Sequence, residues 1–145
     1  MPWSESGGPP RTLEDAHFVL EKEDSSAEAV AAARRLLALA GFNENDQFMV
    51  ATAVSELATN IIRYAVKGEL TLRLVEQEGR EGIEVVAQDE GPGISDLDKA
   101  LTDHFSSGGS LGLGLPSVKR IMDDFHIESR EGAGVMVIAR KWKRP

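Results

Sequence analysis

Apolar and polar residues recur with two different periods along the chain, and the changes of period mark its elements. Alternation with a period of two predicts β-strands over 17–23, 69–76, 83–88, 125–131 and 134–142. Apolar residues spaced by three and four positions predict helices over 27–40 and 44–65, with shorter helices over 96–103 and from about residue 115. The predicted order is therefore β-α-α-β-β-α-α-β-β.

The first long helix carries signals at both ends. Ser25 and Glu28 have the spacing of a capping box, in which two side chains satisfy free N–H groups at a helix start. Gly41 is a suitable stop, because glycine readily adopts the left-handed conformation that ends a helix. The apolar residues that share one face of this helix are Val30, Ala33, Leu37 and Ala40. We expect that face to be buried.

The second long helix has a wider apolar stripe. The stripe comprises Phe48, Ala51, Val54, Leu57, Ala58, Ile61, Ile62 and Ala65. The polar positions that interrupt it are Ser55, Glu56, Thr59, Asn60 and Arg63. We expect the stripe to be buried and the helix to end at Lys67 and Gly68. The polar positions are then available for chemistry.

The order of the elements predicts the fold class. Strands joined by short turns at 79–82 and 132–134 form hairpins, which indicates a mixed, mostly antiparallel sheet. Because the main helices all need an apolar partner, they are expected to cover one face of this sheet. The predicted class is α/β, a two-layer α/β sandwich. Residues 1–14 are rich in Pro, Gly and Ser and are expected to be a disordered tail, with a single domain over 15–145.

The acidic composition narrows the class of partner. A formal net charge of −8 argues against nucleic acid as the main partner, although a nucleotide with Mg²⁺ can still bind locally. The absence of cysteine excludes disulfides and thiolate metal sites. No apolar run is long enough to span a membrane and no signal-peptide pattern is present, so a cytoplasmic protein is expected. A basic cluster near the end is interpreted as a solvated strand end, comprising Arg140, Lys141, Lys143 and Arg144.

Two glycine clusters are candidates for ligand-binding backbone. The first runs from Asp89 to Gly93 and follows a predicted strand, while the second runs from Gly108 to Gly114 and leads into a helix. Glycine lets the main chain turn sharply or approach a ligand closely, and free N–H groups at a helix start suit phosphate. The clusters therefore predict a nucleotide site. The P-loop, Rossmann and protein-kinase motifs are all absent from the sequence.

A third motif completes a recognisable pattern. The segment VSELATN places Glu56 and Asn60 four residues apart, and so on one helix face. Followed by DEGPG and then by the second glycine cluster, it resembles the N, G1 and G2 boxes of the GHKL (Bergerat-fold) superfamily of ATPases and kinases. The resemblance covers about residues 17–143 and implies the Bergerat ATP-binding fold.

The residues within the three boxes indicate a particular group of this superfamily. VSELATN, DEGPGI and GSLGLGLPSVKRIMD are most similar to the serine/threonine switch kinases of the bacterial stressosome, the RsbT type, within the anti-sigma-factor group. This implies an ATP-dependent protein kinase that phosphorylates a serine of a STAS-domain antagonist. By partner switching, it would then act on a downstream phosphatase or regulator in a sigma-factor-regulating stress response.

Two alternatives stay open at this point. One is an anti-sigma factor whose main role is to sequester a sigma factor, and the other is a nucleotide-binding module without transfer activity. Sigma-binding relatives often carry an arginine in the lid that reaches the γ-phosphate. The corresponding segment here, SSGGSLG, has none, which favours the kinase.

The resemblance also implies roles for individual residues. Asp89 would accept hydrogen bonds from the N6 amino group of adenine, while Gly91 and Gly93 would let the main chain pass close to the base. Asn60 would offer its amide oxygen to Mg²⁺, which prefers hard oxygen ligands. Glu56 would act as the general base on an incoming hydroxyl.

The second glycine cluster would form the lid over ATP and a cradle of main-chain amides for its phosphates. The residues implied are Gly108, Gly109, Gly112, Leu113 and Gly114. Arg63, three residues after Asn60, either contacts phosphate or is a surface residue. The sequence leaves that choice open.

Overall fold

The elements follow one another along the chain in the order that the periodicity predicts. The computed structural model describes residues 9–65, 67–91, 93, 114–130 and 132–144. Its elements are β1 (Arg11–Leu20), α1 (Glu23–Leu39), α2 (Glu44–Tyr64), β2 (Gly68–Gln77), β3 (Arg80–Asp89), α3 (Leu115–Ile121), β4 (Asp124–Arg130) and β5 (Gly134–Trp142). The helix predicted over 96–103 lies outside the described residues.

The strands form one sheet whose register gathers distant segments at one end. Their spatial order is β1-β2-β3-β5-β4. All four pairings are antiparallel, so the described sheet is not mixed. Gly68 lies opposite Asp89, and Gln88 lies opposite Met136. The end of β3 is therefore next to the beginnings of both β2 and β5.

The core lies between the helices and one face of the sheet, which confirms the two-layer α/β sandwich. Alternate residues of the central strands, such as Leu72 of β2 and Val85 of β3, are fully buried. Ala33 and Leu37 of α1 join the same cluster, as does Val54 of α2. No helix in the described ranges is long and apolar enough to cross a membrane.

The first strand and the first helix begin earlier than predicted. β1 begins at Arg11, so residues 11–14 of the predicted tail belong to a strand. α1 begins at Glu23 after Lys22, and the Lys22 side chain makes no capping bond. The capping box predicted at Ser25 is therefore wrong. Because β1 ends at Leu20, the chain becomes helical almost as soon as it leaves the sheet.

The second helix confirms its predicted span, but one residue of its apolar stripe was placed wrongly. α2 covers Glu44–Tyr64, against a prediction of 44–65. Phe48 is 63% exposed, whereas Val50 and Ala53, which the stripe omits, are fully buried. Periodicity alone does not show how wide the buried arc of a helix is. The neighbouring core residues set that width.

Gly68 does not end the second helix but begins β2. The helix ends at Tyr64, and the Ala65 N–H bonds to the Ile61 carbonyl. A Cβ at Gly68 would lie 2.5 Å from Ile61 Cγ2, 2.6 Å from the Gln88 carbonyl oxygen and 3.2 Å from Asp89 Cβ. Glycine thus allows the end of α2 to pack directly on the end of β3.

The interpretation of the basic cluster as a solvated strand end is wrong for two of its four residues, while Arg144 is exposed as predicted. Arg140 and Lys141 are only 4% and 5% exposed. The Arg140 Nε–H donates to one oxygen of Glu84 at 2.8 Å, and Arg73 donates to the other at 3.0 Å. The register aligns these three side chains in one row across β2, β3 and β5. Strand alternation places the row on the face that the helices do not cover.

Removing Arg140 from this row is expected to lower the free energy of unfolding by about 3 kcal/mol, because the buried carboxylate loses a charged partner. Arg140→Met leaves Glu84, which is 8% exposed, with Arg73 as its charged neighbour. Arg11→Met is the control, since the Arg11 side chain is 69% exposed beside Glu76 and its loss should cost less than about 1 kcal/mol. Urea denaturation measures both variants, and equal losses would contradict the expectation.

Candidate functional site

Two of the predicted site residues lie on the same side of α2. The helix start is fixed by Asn43, whose side-chain oxygen accepts the Asp46 N–H at 2.7 Å. Glu56 and Asn60 are both half-buried in the second half of the helix. Residues four apart on a helix are neighbours on its surface. The two side chains are therefore presented one turn apart, as the VSELATN motif predicts.

The carboxylate of Glu56 lies against the residue that starts α3. Gly114 caps this helix in a left-handed conformation, with φ of 78°. A Cβ at Gly114 would collide with Glu56 Oε2 and would lie 2.7 Å from its Cδ. The structure thus brings the N box, which contains Glu56, next to Gly114 at the end of the G2 box. Glu56 and Gly114 fit side by side only because residue 114 has no side chain.

Helix α3 is fixed at both ends of its short span. Leu115 and Val118 are buried in the core. At the other end, the buried Lys141 Nζ donates to the Ile121 carbonyl at 3.0 Å, which satisfies one of the free acceptors of a helix terminus. The position of Gly114 relative to Glu56 therefore depends on strand β5 as well as on the local sequence.

Asp89 lies at the end of β3 with one carboxylate oxygen already engaged. Its Oδ1 accepts the Gly91 N–H at 2.8 Å and the Val135 N–H at 3.2 Å. Within the described residues, Oδ2 has no hydrogen-bond donor. Gly91 is buried, and Gly93 has a positive φ of 80°. The main chain at Gly91 therefore turns back toward the Asp89 carboxylate, and one carboxylate oxygen is left for another group.

The second helix and Asp89 meet across Gly68. Ile61, which follows Asn60, and the Cβ of Asp89 both lie against the face of Gly68 where a side chain would be. The N-box helix is therefore packed on the strand end that carries the G1 box. The N box and the G1 box are close for this reason, although Asn60 and Asp89 are about thirty residues apart in sequence.

Comparison with known proteins then decides the family. The family model of the histidine kinase-like ATPase domain matches residues 19–141. The chain belongs to this family. Membership of the histidine kinase-like ATPase family confirms the predicted superfamily and the predicted use of ATP.

Related sequences place the chain within this family. The serine/threonine-protein kinase RsbT of Bacillus subtilis (strain 168) is 47% identical over 104 residues, which cover 72% of this chain and 78% of RsbT. An anti-sigma F factor of Caldanaerobacter subterraneus subsp. tengcongensis is 34% identical over 99 residues, which cover 64% of this chain and 68% of that protein. The similarity to RsbT confirms the predicted resemblance and the predicted enzyme class, a protein serine/threonine kinase.

Two solved structures share the fold of this chain. A Mycobacterium tuberculosis protein with RsbU and RsbW domains matches with a TM-score of 0.65 and 16% identity, over 92% of this chain and 34% of that chain. The catalytic domain of the histidine kinase ThkA matches with a TM-score of 0.52 and 20% identity, over 92% of this chain and 99% of that domain. These two likenesses concern the fold alone.

The described structure does not test every predicted site residue. Arg63 is exposed near the end of α2, so its role in this ATPase-family domain stays a prediction. Those that lie outside the described residues are Gly108, Gly109, Gly112 and Leu113. In contrast, Gly134 and Val135 contact Asp89, yet sequence reasoning assigned them only to a hairpin turn and a strand.

Two surface cavities flank Asp89. One of about 330 Å³ is lined by Val19, Lys67 and Gly68, among others. The other, of about 220 Å³, is lined by residues that include Gly134. Neither has Glu56 or Asn60 among the described residues that line it. Neither cavity therefore contains the whole constellation.

Gly114→Ala is expected to lower phosphoryl transfer at least about tenfold, because the added methyl group displaces Glu56. Gly79→Ala is a matched control: both glycines have φ of +78°, but nothing lies within 4 Å of a Cβ at Gly79. The left-handed conformation costs each alanine about 1–2 kcal/mol of stability. Transfer from labelled ATP is measured for both folded variants, and similar rates would argue against the contact with Glu56.

Proposed function

We propose that this protein is a Mg²⁺- and ATP-dependent serine/threonine kinase that phosphorylates a STAS-domain antagonist and acts by partner switching. The observation that carries the proposal is the seating of the Glu56 carboxylate against Gly114, one helical turn from Asn60. This contact supports a role for the Glu56 carboxylate in the reaction, because it places that carboxylate where the N box meets the end of the G2 box. The proposed setting is the cytoplasm, in a stress-response pathway that includes a downstream phosphatase or regulator.

In the proposed reaction, Glu56 takes the proton from a serine hydroxyl of the partner as the serine oxygen attacks the γ-phosphorus of ATP. The bond between the γ-phosphorus and its bridging oxygen breaks, and ADP leaves with that oxygen. The protein contributes position and electrostatics, which is the general pattern of enzymatic phosphoryl transfer. Asp89 holds the base end of the nucleotide through its second carboxylate oxygen.

The residues present fit a magnesium ion. Mg²⁺ prefers oxygen ligands and keeps few protein contacts, with phosphate oxygens and water completing its shell. Asn60 is half-buried one helical turn from Glu56, and its amide oxygen is the kind of ligand that Mg²⁺ prefers. When bound, the ion would neutralise charge on the phosphates. Asn60 would hold it on the helix that also carries the general base.

A specific observation also supports a second candidate, an anti-sigma factor with kinase activity toward its antagonist. The chain is 34% identical to an anti-sigma F factor. The first candidate is preferred because identity to RsbT is 47% over a larger share of the chain. A pull-down separates the two, since a sigma factor as the tight partner would exclude the first candidate.

The test of the proposed function is transfer from γ-labelled ATP. The protein is incubated with STAS-domain proteins encoded near its gene, with and without Mg²⁺. We expect label on one serine of one such protein, dependent on the metal. A chain that binds ATP but labels no candidate would support a binding module without transfer activity.

A further inference from the structure

The turn between β4 and β5 is in direct contact with Asp89, at two points. The Val135 N–H donates to Asp89 Oδ1 at 3.2 Å, across 46 residues of sequence. A Cβ at Gly134 would collide with the Asp89 carbonyl oxygen and would lie 3.3 Å from Oδ1. Both the main chain and the side chain of Asp89 therefore depend on how closely residues 134 and 135 approach.

The contact between Asp89 and Val135 extends the pairing of β3 with β5 by one residue, through a side chain. The last backbone pair between β3 and β5 is Gln88 with Met136. One step further along this antiparallel register, Asp89 faces Val135, and here the Asp89 carboxylate accepts the N–H in place of a backbone carbonyl. The Asp89 side chain thus replaces a backbone hydrogen bond between β3 and β5 at the position where β3 ends.

The two glycines of this turn differ in the space that surrounds them. Gly132 and Gly134 both have positive φ angles, of 79° and 95°. Nothing lies within 4 Å of a Cβ at Gly132, whereas a Cβ at Gly134 meets Asp89. Local chain conformation favours glycine at both positions. Only residue 134 must also be small because of its neighbour.

We propose that Gly134 and the Val135 amide are positioning elements that set the base specificity of the site. Two N–H groups on Oδ1 fix the plane of the Asp89 carboxylate, so Oδ2 points in one direction as an acceptor only. Such an oxygen pairs with the amino group of adenine and repels the carbonyl oxygen of guanine. The inference rests on the proposed nucleotide role of Asp89 and assigns part of the discrimination to a turn outside the three boxes.

The test compares Gly134→Ala with Gly132→Ala in the full chain. Calorimetry measures the affinity for ATP and for GTP, and thermal melting without nucleotide confirms that each variant is folded. We expect Gly134→Ala to reduce the preference for ATP over GTP at least about tenfold, or about 1.4 kcal/mol. Gly132→Ala should change that preference less than about twofold, because it adds only backbone strain. Loss of stability alone would weaken both nucleotides equally and leave the ratio unchanged.

The outcomes separate this inference from the proposed function. If the natural chain binds no ATP, the proposed function fails and the inference fails with it. If Gly134→Ala folds, binds ATP and keeps the full preference, only the inference fails.

If Gly134→Ala does not fold, the inference is tested by amide hydrogen exchange in Asp89→Ala and in the natural chain. The Val135 amide should exchange faster in Asp89→Ala than in the natural chain, while the Val137 amide should not. An unchanged Val135 rate would overturn the inference.

Discussion

Asp89→Asn is expected to lower the affinity for ATP at least about 100-fold, or about 2.7 kcal/mol. Asparagine can keep an oxygen at the Oδ1 position, where it still accepts the N–H groups of Gly91 and Val135. Its amide nitrogen then occupies the place of Oδ2. A donor there faces the amino group of adenine, which is also a donor, so the hydrogen bond is lost and two polar groups stay unsatisfied.

Isothermal titration calorimetry with ATP measures this effect. Glu90→Gln is the matched control, because the Glu90 side chain is 73% exposed and lies 3.8 Å from Lys67 in a surface pair. We expect that control to bind ATP like the natural chain. Thermal melting without nucleotide should be nearly the same for all three proteins. Normal ATP affinity of a folded Asp89→Asn protein would contradict the adenine role.

Glu56→Gln is expected to retain ATP binding while phosphoryl transfer falls by about 10²–10⁴-fold, the usual contribution of a general base. Glutamine has the shape of glutamate, so the contact of this side chain with Gly114 is kept. What changes is the ability to take a proton. The effect should therefore appear in the rate of transfer and not in the affinity for nucleotide.

Single-turnover transfer from labelled ATP to the partner protein measures this rate. Glu44→Gln is the control, since Glu44 is an exposed carboxylate in the first turn of the same helix and undergoes the same chemical change. Its transfer rate should stay within about twofold, because losing a charge at a helix start costs about 0.3–1 kcal/mol of stability only. Near-normal transfer by Glu56→Gln would refute the general-base role.

Much of the fold could be predicted because its signals are local. The span of α2 follows from its 3.6-residue period, and the hairpins follow from period-two alternation around short turns. The incorrect predictions concern positions where contacts with residues distant in sequence override the local pattern. Phe48 fits the apolar stripe of α2 but lies beyond the arc that the core covers. The predicted cap at Ser25 is wrong because β1 ends at Leu20 and the N-cap position of the helix is Lys22, three residues earlier.

The burial of Arg140 could not be predicted from the sequence around it. Four basic residues near a chain end are typical of a solvated surface. The partner that makes burial tolerable, Glu84, is 56 residues away in sequence. Only the register of β3 against β5 sets the two opposite each other.

The sequence by itself determined the three motifs, their order and the elements that carry them, because each depends on a few adjacent residues. Glu56 and Asn60 on one helix, Asp89 at a strand end and glycine at 114 were all accessible in this way. The tertiary structure decided which of these groups touch. Gly114 seats Glu56, Gly68 joins α2 to β3, and Gly134 fits against Asp89. These contacts depend on strand register and on the space that a missing side chain leaves, and neither has a local signature in the sequence.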